Sequence, residues 1–469
     1  MLRGFAIYSI AQLQGNSTQI PHQVDNLVFS LAKSGRVGLD DVGPLGNYTK
    51  LPTTYATNQA TERKELRYNL LHVVADLLPG SRVAECSRYH VPSADGIDLV
   101  HNPNDMTGHL HNVAVCGGKW VCPVCASRKG FEDRGELAAL LAEVEARGHT
   151  HIMVTFTVSH HVGDRLADLI ADFQTTFTAM KSGRSWSLFK RRFGLSGDVV
   201  GNEPKYGFVN GWHFHKHVVF IFEEALNQDD LDEIRAWISK RYRAMLAKVG
   251  RYADVKHGVV MTVGNVDDYM TKWGLDLELT ALESKDGDSF TPFGLLNLVQ
   301  RGDRRAGAAK ALFLEYAEAT KGVNRLRFSR GLKARYGLDA RDLRQEREET
   351  KAQGIASGDI LPDVLLETLE QYEYTQVVKA RSVGGLVRAV ATGKRSAVWE
   401  FLESVGVPSR GSGAWLDAWL NRYKCLVWSV KPEKQRELVE QFMSYKGLAV
   451  GLGLAALWED AYQVSFGVV

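Results

Sequence analysis

The hydrophobic and polar positions in the middle of the chain follow two different periods. Apolar residues recur at helical spacing in three stretches, which are 128–147, 164–180 and 229–249. Apolar residues cluster or alternate as in strands in four stretches, which are 151–158, 199–202, 212–222 and 257–263. Because helices and strands alternate along the chain, we predict an α+β fold in which helices flank an antiparallel sheet.

The two ends of the chain differ from this middle part. Residues 1–61 show no sustained period, whereas the stretches 386–390, 397–405 and 414–423 show helical spacing. We therefore expect five parts. In order they are a loosely ordered extension (1–61), a cysteine-bearing segment (62–130), a sheet domain (131–290), a basic extension (291–350) and a helical C-terminal domain (351–469).

Length and composition are those of a soluble protein with several domains. The 469 residues are 45% hydrophobic, which is enough for sizeable cores. The longest apolar run, 447–457, is too short to span a bilayer, and the first residues show no signal peptide. We therefore expect a cytoplasmic protein without a membrane partner. The net charge of +2 shows that the chain as a whole is not strongly basic.

Three histidines occupy alternate positions in the strand predicted at 212–222. His213, His215 and His217 share one face of that strand, because successive side chains point to opposite faces. This row favours a divalent-metal site over an ordinary polar strand face. We take His215 and His217 as the first choice of ligands for manganese or magnesium.

The sequence leaves the identity of the third metal ligand undecided. Glu203 would supply a carboxylate oxygen, which magnesium prefers, if its strand pairs antiparallel with the histidine strand through the turn-like connection at 207–211. His213 and His160 are the competitors for this place. Glu203 taken alone is equally typical of a solvated side chain.

A short helix is predicted at 265–274, where an aspartate pair can start it and a glycine can end it. Tyr269 and Lys272 would face the same side of this helix. That pair suits attack on a phosphodiester, since the phenol is a nucleophile and the ammonium offsets developing charge. A half-buried tyrosine on an amphipathic helix is the alternative, and the nearby histidine row favours the catalytic interpretation.

Four of the five cysteines lie close together in the sequence. Cys122 and Cys125 form a CxxC pair that can bind one tetrahedral zinc ion, with Cys86 and Cys116 completing a four-sulfur site. We expect a structural zinc ion, which has no open position for catalysis. A redox CxxC pair is one alternative. In the other, a histidine replaces a cysteine, and the candidates are His90, His101 and His111.

Two segments, 181–192 and 325–335, concentrate cations beside aromatic residues. This mixture is typical of single-stranded nucleic-acid binding, since cations contact phosphates and aromatic rings stack on bases. Solvated helix faces with one buried aromatic residue are the alternative. The residues that we expect to contact DNA are Lys181, Arg184, Trp186, Lys190, Arg191, Arg192, Arg327, Arg330 and Lys333.

The motifs belong to one ordered series between residues 80 and 345. Its members are 116–125, 154–160, 183–186, 211–217, 269–274, 278–280, 291–293 and 327–332. In order and spacing this series resembles the plasmid rolling-circle replication initiators of the HUH endonuclease superfamily. The resemblance implies a ferredoxin-like palm with the histidines on a central strand.

The same resemblance implies a metal-dependent enzyme that nicks one strand at a plasmid origin. Tyr269 would keep the 5′ end of the DNA as a phosphotyrosine link, which a DNA 3′-hydroxyl can later attack to rejoin the strand. The partners would be single-stranded and origin DNA, host replication proteins and a separate helicase. A helicase is needed because the chain lacks a GxxxxGK[ST] motif, Gly393 and Lys394 being followed by Arg395.

Two positions depart from the family's pattern. Lys216 stands where the family usually has an apolar residue between the last two histidines, which leaves open which two histidines bind most closely. Some relatives carry a glutamate four residues before the nucleophile, and Asn265 stands there. Asp267 or Asp268 is a candidate substitute, and a second tyrosine or a second subunit is the alternative.

Two further functional classes remain open from the sequence. A conjugative relaxase or single-strand transposase would share the same histidine and tyrosine chemistry. A zinc-stabilised DNA-binding protein without catalysis would account for both departures from the pattern.

Overall fold

The computed structural model describes residues 54–263 and 289–410, together with Ser412 and Ala414. Tyr269, Lys272 and nearly all of the predicted helix at 414–423 lie outside the described residues. The described residues form helices and antiparallel strands, so the predicted α+β class is confirmed. None of the described helices is long and apolar enough to cross a membrane.

The helices of the described residues follow in chain order. They are α1 (Thr54–Leu77), α2 (Pro123–Ala146), α3 (Leu166–Met180), α4 (Gly183–Arg192), α5 (Gln228–Ala247), α6 (Pro292–Gln300), α7 (Ala306–Ala319), α8 (Leu332–Arg335), α9 (Leu343–Ser357), α10 (Gln371–Lys379), α11 (Val383–Ala391) and α12 (Arg395–Ser404). A 3₁₀ turn at Leu338–Ala340 follows α8.

The strands form two separate sheets. They are β1 (Ile97–Asn102), β2 (Thr107–His111), β3 (Thr150–Thr157), β4 (Leu195–Gly207), β5 (Gly211–Phe222), β6 (Val259–Thr262), β7 (Ser289–Phe290), β8 (Leu326–Phe328) and β9 (Val364–Leu369). The larger sheet has the order β6-β3-β5-β4-β7, with β8 also paired to β4. Every pair in it is antiparallel.

Helices cover both faces of β5, which lies in the middle of the larger sheet. On one face Phe220 joins Phe173 of α3 and Tyr242 of α5 in the main core. On the other face Val219 packs with the leucines of α2 in a second core. Residues 218–222 are accordingly buried on both sides, as their unbroken apolar sequence predicts.

The smaller sheet corrects the expected division of the chain. It has the order β2-β1-β9, so strands from the cysteine-bearing segment pair with a strand of the predicted helical C-terminal domain. Leu99 of β1, Leu369 of β9 and Leu386 of α11 share one core. A two-stranded hairpin is only marginally stable alone, and β9 supplies the third strand that this hairpin needs. Sequence periods are local and do not report such a distant pairing.

Two other expected boundaries also differ in the structure. Helix α1 begins at Thr54, so the loosely ordered extension expected to reach residue 61 is too long at its C-terminal end. The basic extension expected at 291–350 begins with α6 and α7, which contribute Leu296 and Phe313 to the main core. These helices therefore belong to the body of the larger sheet.

Gly211 begins β5 in a conformation that other residues rarely adopt. Its φ is +83°, and a Cβ added there would lie 2.5 Å from the carbonyl oxygen of His161. We expect Gly211→Ala to lower the free energy of unfolding by more than about 2 kcal/mol, through strain and the clash together. Chemical denaturation measures this loss.

Gly302→Ala is the matched control for Gly211→Ala. Gly302 also has a positive φ, +64°, but an added Cβ would meet no atom within 4 Å. Gly302→Ala should lower the free energy of unfolding by only about 1 kcal/mol, through backbone strain. Equal losses in the two variants would contradict the close approach at Gly211.

Candidate functional site

Three potential metal ligands converge on β4 and β5. The register places Glu203 opposite His215 and Gly201 opposite His217, so all three donor side chains share one face. Glu203 Oε2 lies 3.1 Å from His217 Nε2. One donor atom of each of the three residues lies within 4.8 Å of the others. The antiparallel pairing on which the role of Glu203 depended is therefore present.

The protonation of these side chains suits a cation. Burial opposes the charged form of Glu203, but the hydrogen bond and charge of His217, with the charge of Lys205, lower its pKa to about 2. Lys205 Nζ lies 2.8 Å from Glu203 Oε1. Burial lowers the pKa of His215 to about 4. At neutral pH the carboxylate is charged and the His215 imidazole is neutral, as ligation of a divalent metal requires.

A hydroxyl group orients one of the imidazoles. Thr155 Oγ1 on β3 lies 3.0 Å from His217 Nδ1, the ring nitrogen that faces away from Glu203. A second hydrogen bond of this kind fixes the ring of a ligating histidine and leaves its other nitrogen for the metal. Neither Thr155 nor Lys205 was predicted from the sequence. The strand register points to both, because Thr155 lies opposite His217 and Lys205 opposite His213.

His213 and His160 lie beside this group and are not part of it. Their ring centroids are 3.9 Å apart, so the two imidazoles pack against each other. Burial and the neighbouring His160 lower the pKa of His213 to about 4. His213 was expected among the metal ligands, and the described donor group contains His215, His217 and Glu203 instead. The first choice of His215 and His217 agrees with this geometry, and metal binding itself stays a prediction.

Lys216 occupies the opposite face of β5. Its side chain is 4% exposed, and its Nζ donates a hydrogen bond of 2.7 Å to Asn202 Oδ1. The rings of Phe173, Phe177 and Phe214 surround the ammonium group, with centroids 5.5 to 5.7 Å away. Burial lowers the pKa of Lys216 to about 7. The departure from the family's pattern therefore leaves the histidine face unchanged.

The four clustered cysteines form a second candidate metal centre. All four are buried, and their Sγ atoms lie within 4.8 Å of one another. The closest pairs are Cys122 to Cys86 at 3.5 Å, Cys116 to Cys125 at 3.6 Å and Cys86 to Cys125 at 3.7 Å. A tetrahedral zinc ion with Zn–S bonds of about 2.3 Å places its sulfurs about 3.8 Å apart. The distances match this geometry and exceed a disulfide bond of about 2.05 Å.

Backbone N–H groups contact two of the four sulfur atoms. The backbone N–H groups of Cys125 and Gly118 donate to the Sγ atoms of Cys122 and Cys116, at 3.4 and 3.3 Å. Hydrogen bonding with Cys116 raises the pKa of Cys122 and lowers that of Cys125. In the described part of the chain this donor group consists of cysteines alone. The proposed histidine substitutes, which are His90, His101 and His111, lie outside it.

The two basic segments meet at the first half of β4. α4 leads into β4, and β8 pairs with β4 at Val199–Gly201. Asp198 links the segments, since it pairs with Lys181 and exchanges hydrogen bonds with Ser329. Several cations here are exposed and form no ion pair with any described residue; they are Arg184, Lys190, Arg191, Arg327 and Arg330.

Other residues expected to contact DNA are engaged within the protein. Trp186 is 7% exposed and packs against Phe189 and Trp237, with ring centroids 5.4 and 5.9 Å away. Its predicted role in base stacking is therefore wrong, because Trp186 and Phe189 share the core-facing side of α4. Lys333 pairs with Glu136 at 2.6 Å. Arg192 pairs with Glu233, and Lys181 with Asp198.

The cysteine centre gives a test by metal analysis. We expect the wild-type protein to carry about one zinc ion per chain, and Cys122→Ser to lose it together with several kcal/mol of stability. Metal content and thermal unfolding measure the two effects. Cys425→Ser, which removes the cysteine outside this cluster, should keep the zinc ion. A zinc-free wild-type protein that is fully stable would contradict the interpretation.

Two bacterial proteins are similar to this chain. It is 26% identical over 296 residues to "Protein rep" of Streptomyces lividans, covering 48% of this chain and 64% of that protein. It is 27% identical over 130 residues to "Neomycin resistance protein" of Streptomyces cyanogenus, covering 23% of this chain and 30% of that protein. The chain thus spans less than two thirds of either relative. No family model and no solved structure matches it.

Proposed function

We propose that this protein initiates plasmid replication by nicking one DNA strand, with Tyr269 as the nucleophile and a divalent metal ion held by Glu203, His215 and His217. The observation that carries the proposal is the convergence of one carboxylate and two imidazoles on one sheet face. The similarity to a protein named rep over about half of the chain supports a role in replication. Together they favour an initiator of the rolling-circle type.

The reaction transfers a phosphoryl group from DNA to tyrosine. The phenolic oxygen of Tyr269 bonds to the scissile phosphorus, the bond to the 3′ oxygen breaks, and the phenolic proton leaves to solvent or a base. The leaving 3′ oxygen gains a proton, and Lys272 offsets charge on the phosphoryl oxygens. Bound manganese or magnesium would supply Lewis-acid polarisation of the phosphate. Attack by a DNA 3′-hydroxyl on the phosphotyrosine reverses the step without a nucleotide cofactor.

The buried cysteine centre has a structural role in this proposal. Four thiolates fill the coordination of a zinc ion and leave no position for substrate. The segment that carries the cysteines packs in the main core with residues of the larger sheet, including Phe156 of β3 and Val218 of β5. A zinc ion there would stabilise the body that holds the histidine strand.

The exposed cations near β4 are the proposed surface for DNA. Arg184, Lys190 and Arg191 lie on α4, and Arg327 and Arg330 lie on β8 and the turn that follows it. Unpaired guanidinium and ammonium groups bind phosphates without regard to sequence. This surface would hold the single strand while recognition of the origin uses other contacts. Separate helicase and host replication proteins would extend the nicked strand.

Covalent capture tests the nucleophile. We expect wild-type protein, incubated with labelled single-stranded origin DNA and manganese, to carry the label after denaturing electrophoresis. Tyr269→Phe should abolish the adduct because phenylalanine has no nucleophilic oxygen. His215→Ala should also abolish it, because one metal ligand is removed. Tyr252→Phe, which alters a tyrosine that is 63% exposed, should leave the adduct intact.

Three outcomes of this assay would contradict the proposal in different ways. An adduct that persists in Tyr269→Phe would assign the link to another residue. Nicked DNA without an adduct in any lane would indicate attack by metal-activated water. Absence of cleavage on verified origin DNA, with binding retained, would favour a DNA-binding protein without catalysis.

The salt dependence of DNA binding tests the basic surface. Arg327→Ala should weaken binding of single-stranded DNA, and should reduce the slope of log affinity against log salt by about 0.7, the value for one phosphate contact. Lys379→Ala is the control, since Lys379 is exposed on α10 beside the smaller sheet. Identical slopes for wild type and Arg327→Ala would remove Arg327 from the interface.

A further inference from the structure

A buried lysine behind the histidine row has no carboxylate partner in the part of the chain that the structure describes. Lys216 is 4% exposed, and no carboxylate of the described residues forms an ion pair with it. Burial of an ammonium group in an apolar core opposes folding unless other contacts compensate. An apolar side chain of similar length would fill the space between the three phenylalanine rings. A residue that costs stability at such a place indicates a task other than packing.

The partner of Lys216 is its cross-strand neighbour. Asn202 lies directly opposite Lys216 in the ladder between β4 and β5, and the side-chain hydrogen bond joins them. The adjacent register pairs are Glu203 with His215 and Gly201 with His217. The side-chain hydrogen bond between Lys216 and Asn202 therefore joins β5 to β4 on the face of the sheet opposite the three donor residues.

On its edge away from β5, β4 has no strand partner at this position among the described residues. β8 pairs with β4 only at residues 199–201, and β7 only at 206–207, so no described strand pairs with residues 202–205 on that edge. Pro204 lies in this gap and has no backbone N–H to donate. A change of register by one residue would move Glu203 to the opposite face of the sheet. Contacts that hold this part of β4 therefore decide where the carboxylate lies.

Asn202 fixes β4 from the open edge as well. Its backbone N–H donates to the carbonyl oxygen of Arg325 at 3.0 Å, and its Nδ2 donates to that of Asn324 at 2.7 Å. Arg325 in turn donates to the carbonyl oxygen of Ala126 at 3.0 Å, directly after Cys125. One amide side chain thus joins β5 on one side and the segment before β8 on the other.

We propose that Lys216 and Asn202 are positioning residues that hold Glu203 in register with His215 and His217. The inference rests on the proposed function in one respect, namely that these three residues bind a divalent metal. Lys216 and Asn202 both lie on the face of the sheet opposite the three donor residues. Their effect passes through the β4 backbone to the carboxylate.

Manganese affinity of the full-length protein tests the proposal. Titration calorimetry should show about tenfold weaker manganese binding in Lys216→Met and in Asn202→Ala, the lower end of the effect of outer contacts on metal sites. The double variant should be no worse than either single variant, because both changes break the same bond. Lys64→Met is the matched control. Lys64 is a partly buried lysine that donates to Thr107 at 2.7 Å on the smaller sheet, so its replacement should leave manganese affinity unchanged.

Thermal unfolding in metal-free buffer separates positioning from a purely structural role. A lower melting temperature with unchanged manganese affinity in both single variants would overturn the proposal. If Lys216→Met does not fold, Asn202→Ala decides by the same criterion. Wild-type protein that binds no manganese would overturn the metal site and this proposal together. Wild-type binding with unaffected variants would overturn the positioning role alone.

Discussion

The hydrogen-bonded ladder between β4 and β5 sets the geometry on which the candidate site depends. It runs from Leu195 and Phe222 at one end to Gly207 and Gly211 at the hairpin turn. The turn at Gly211 requires a left-handed backbone and close contact with His161, which fixes where the ladder begins. From that point each residue of β4 back to Gly197 has one partner on β5. A carboxylate twelve residues before a histidine in the sequence thereby becomes its direct neighbour.

The two faces of β5 carry different side chains because successive residues of a strand point to opposite faces. Alternation places the imidazoles on one face and the aromatic core residues with Lys216 on the other. Toward residue 222 the imidazole face is buried, because α2 covers it. Toward the hairpin the same face is more exposed, and His213 and His215 are half-buried there. The strand is therefore anchored by its apolar end while its polar end remains accessible to a ligand.

The cysteine-bearing segment and the larger sheet are joined by a short stretch before β8. Trp120 Nε1 donates to the carbonyl oxygen of Val323 at 2.8 Å, and Tyr316 donates to that of Trp120 at 2.9 Å. Arg325 is 4% exposed and bonds the backbone beside the cysteines. The same stretch bonds Asn202 on β4, so the two candidate metal centres are connected through a few hydrogen bonds. Disorder of the cysteine segment would remove support from the strand that carries Glu203.

Local patterns in the sequence determined four strands of the larger sheet but not the short strands β7 and β8. They also determined its antiparallel class, the shared face of the histidines and the grouping of the four cysteines. These properties depend on periods of two or 3.6 residues and on short spacings. Only the tertiary structure decided that Glu203 joins His215 and His217 while His213 packs against His160, that Trp186 belongs to the core, and that β9 completes the smaller sheet. Those outcomes depend on strand register and on contacts between distant segments, which no local period encodes.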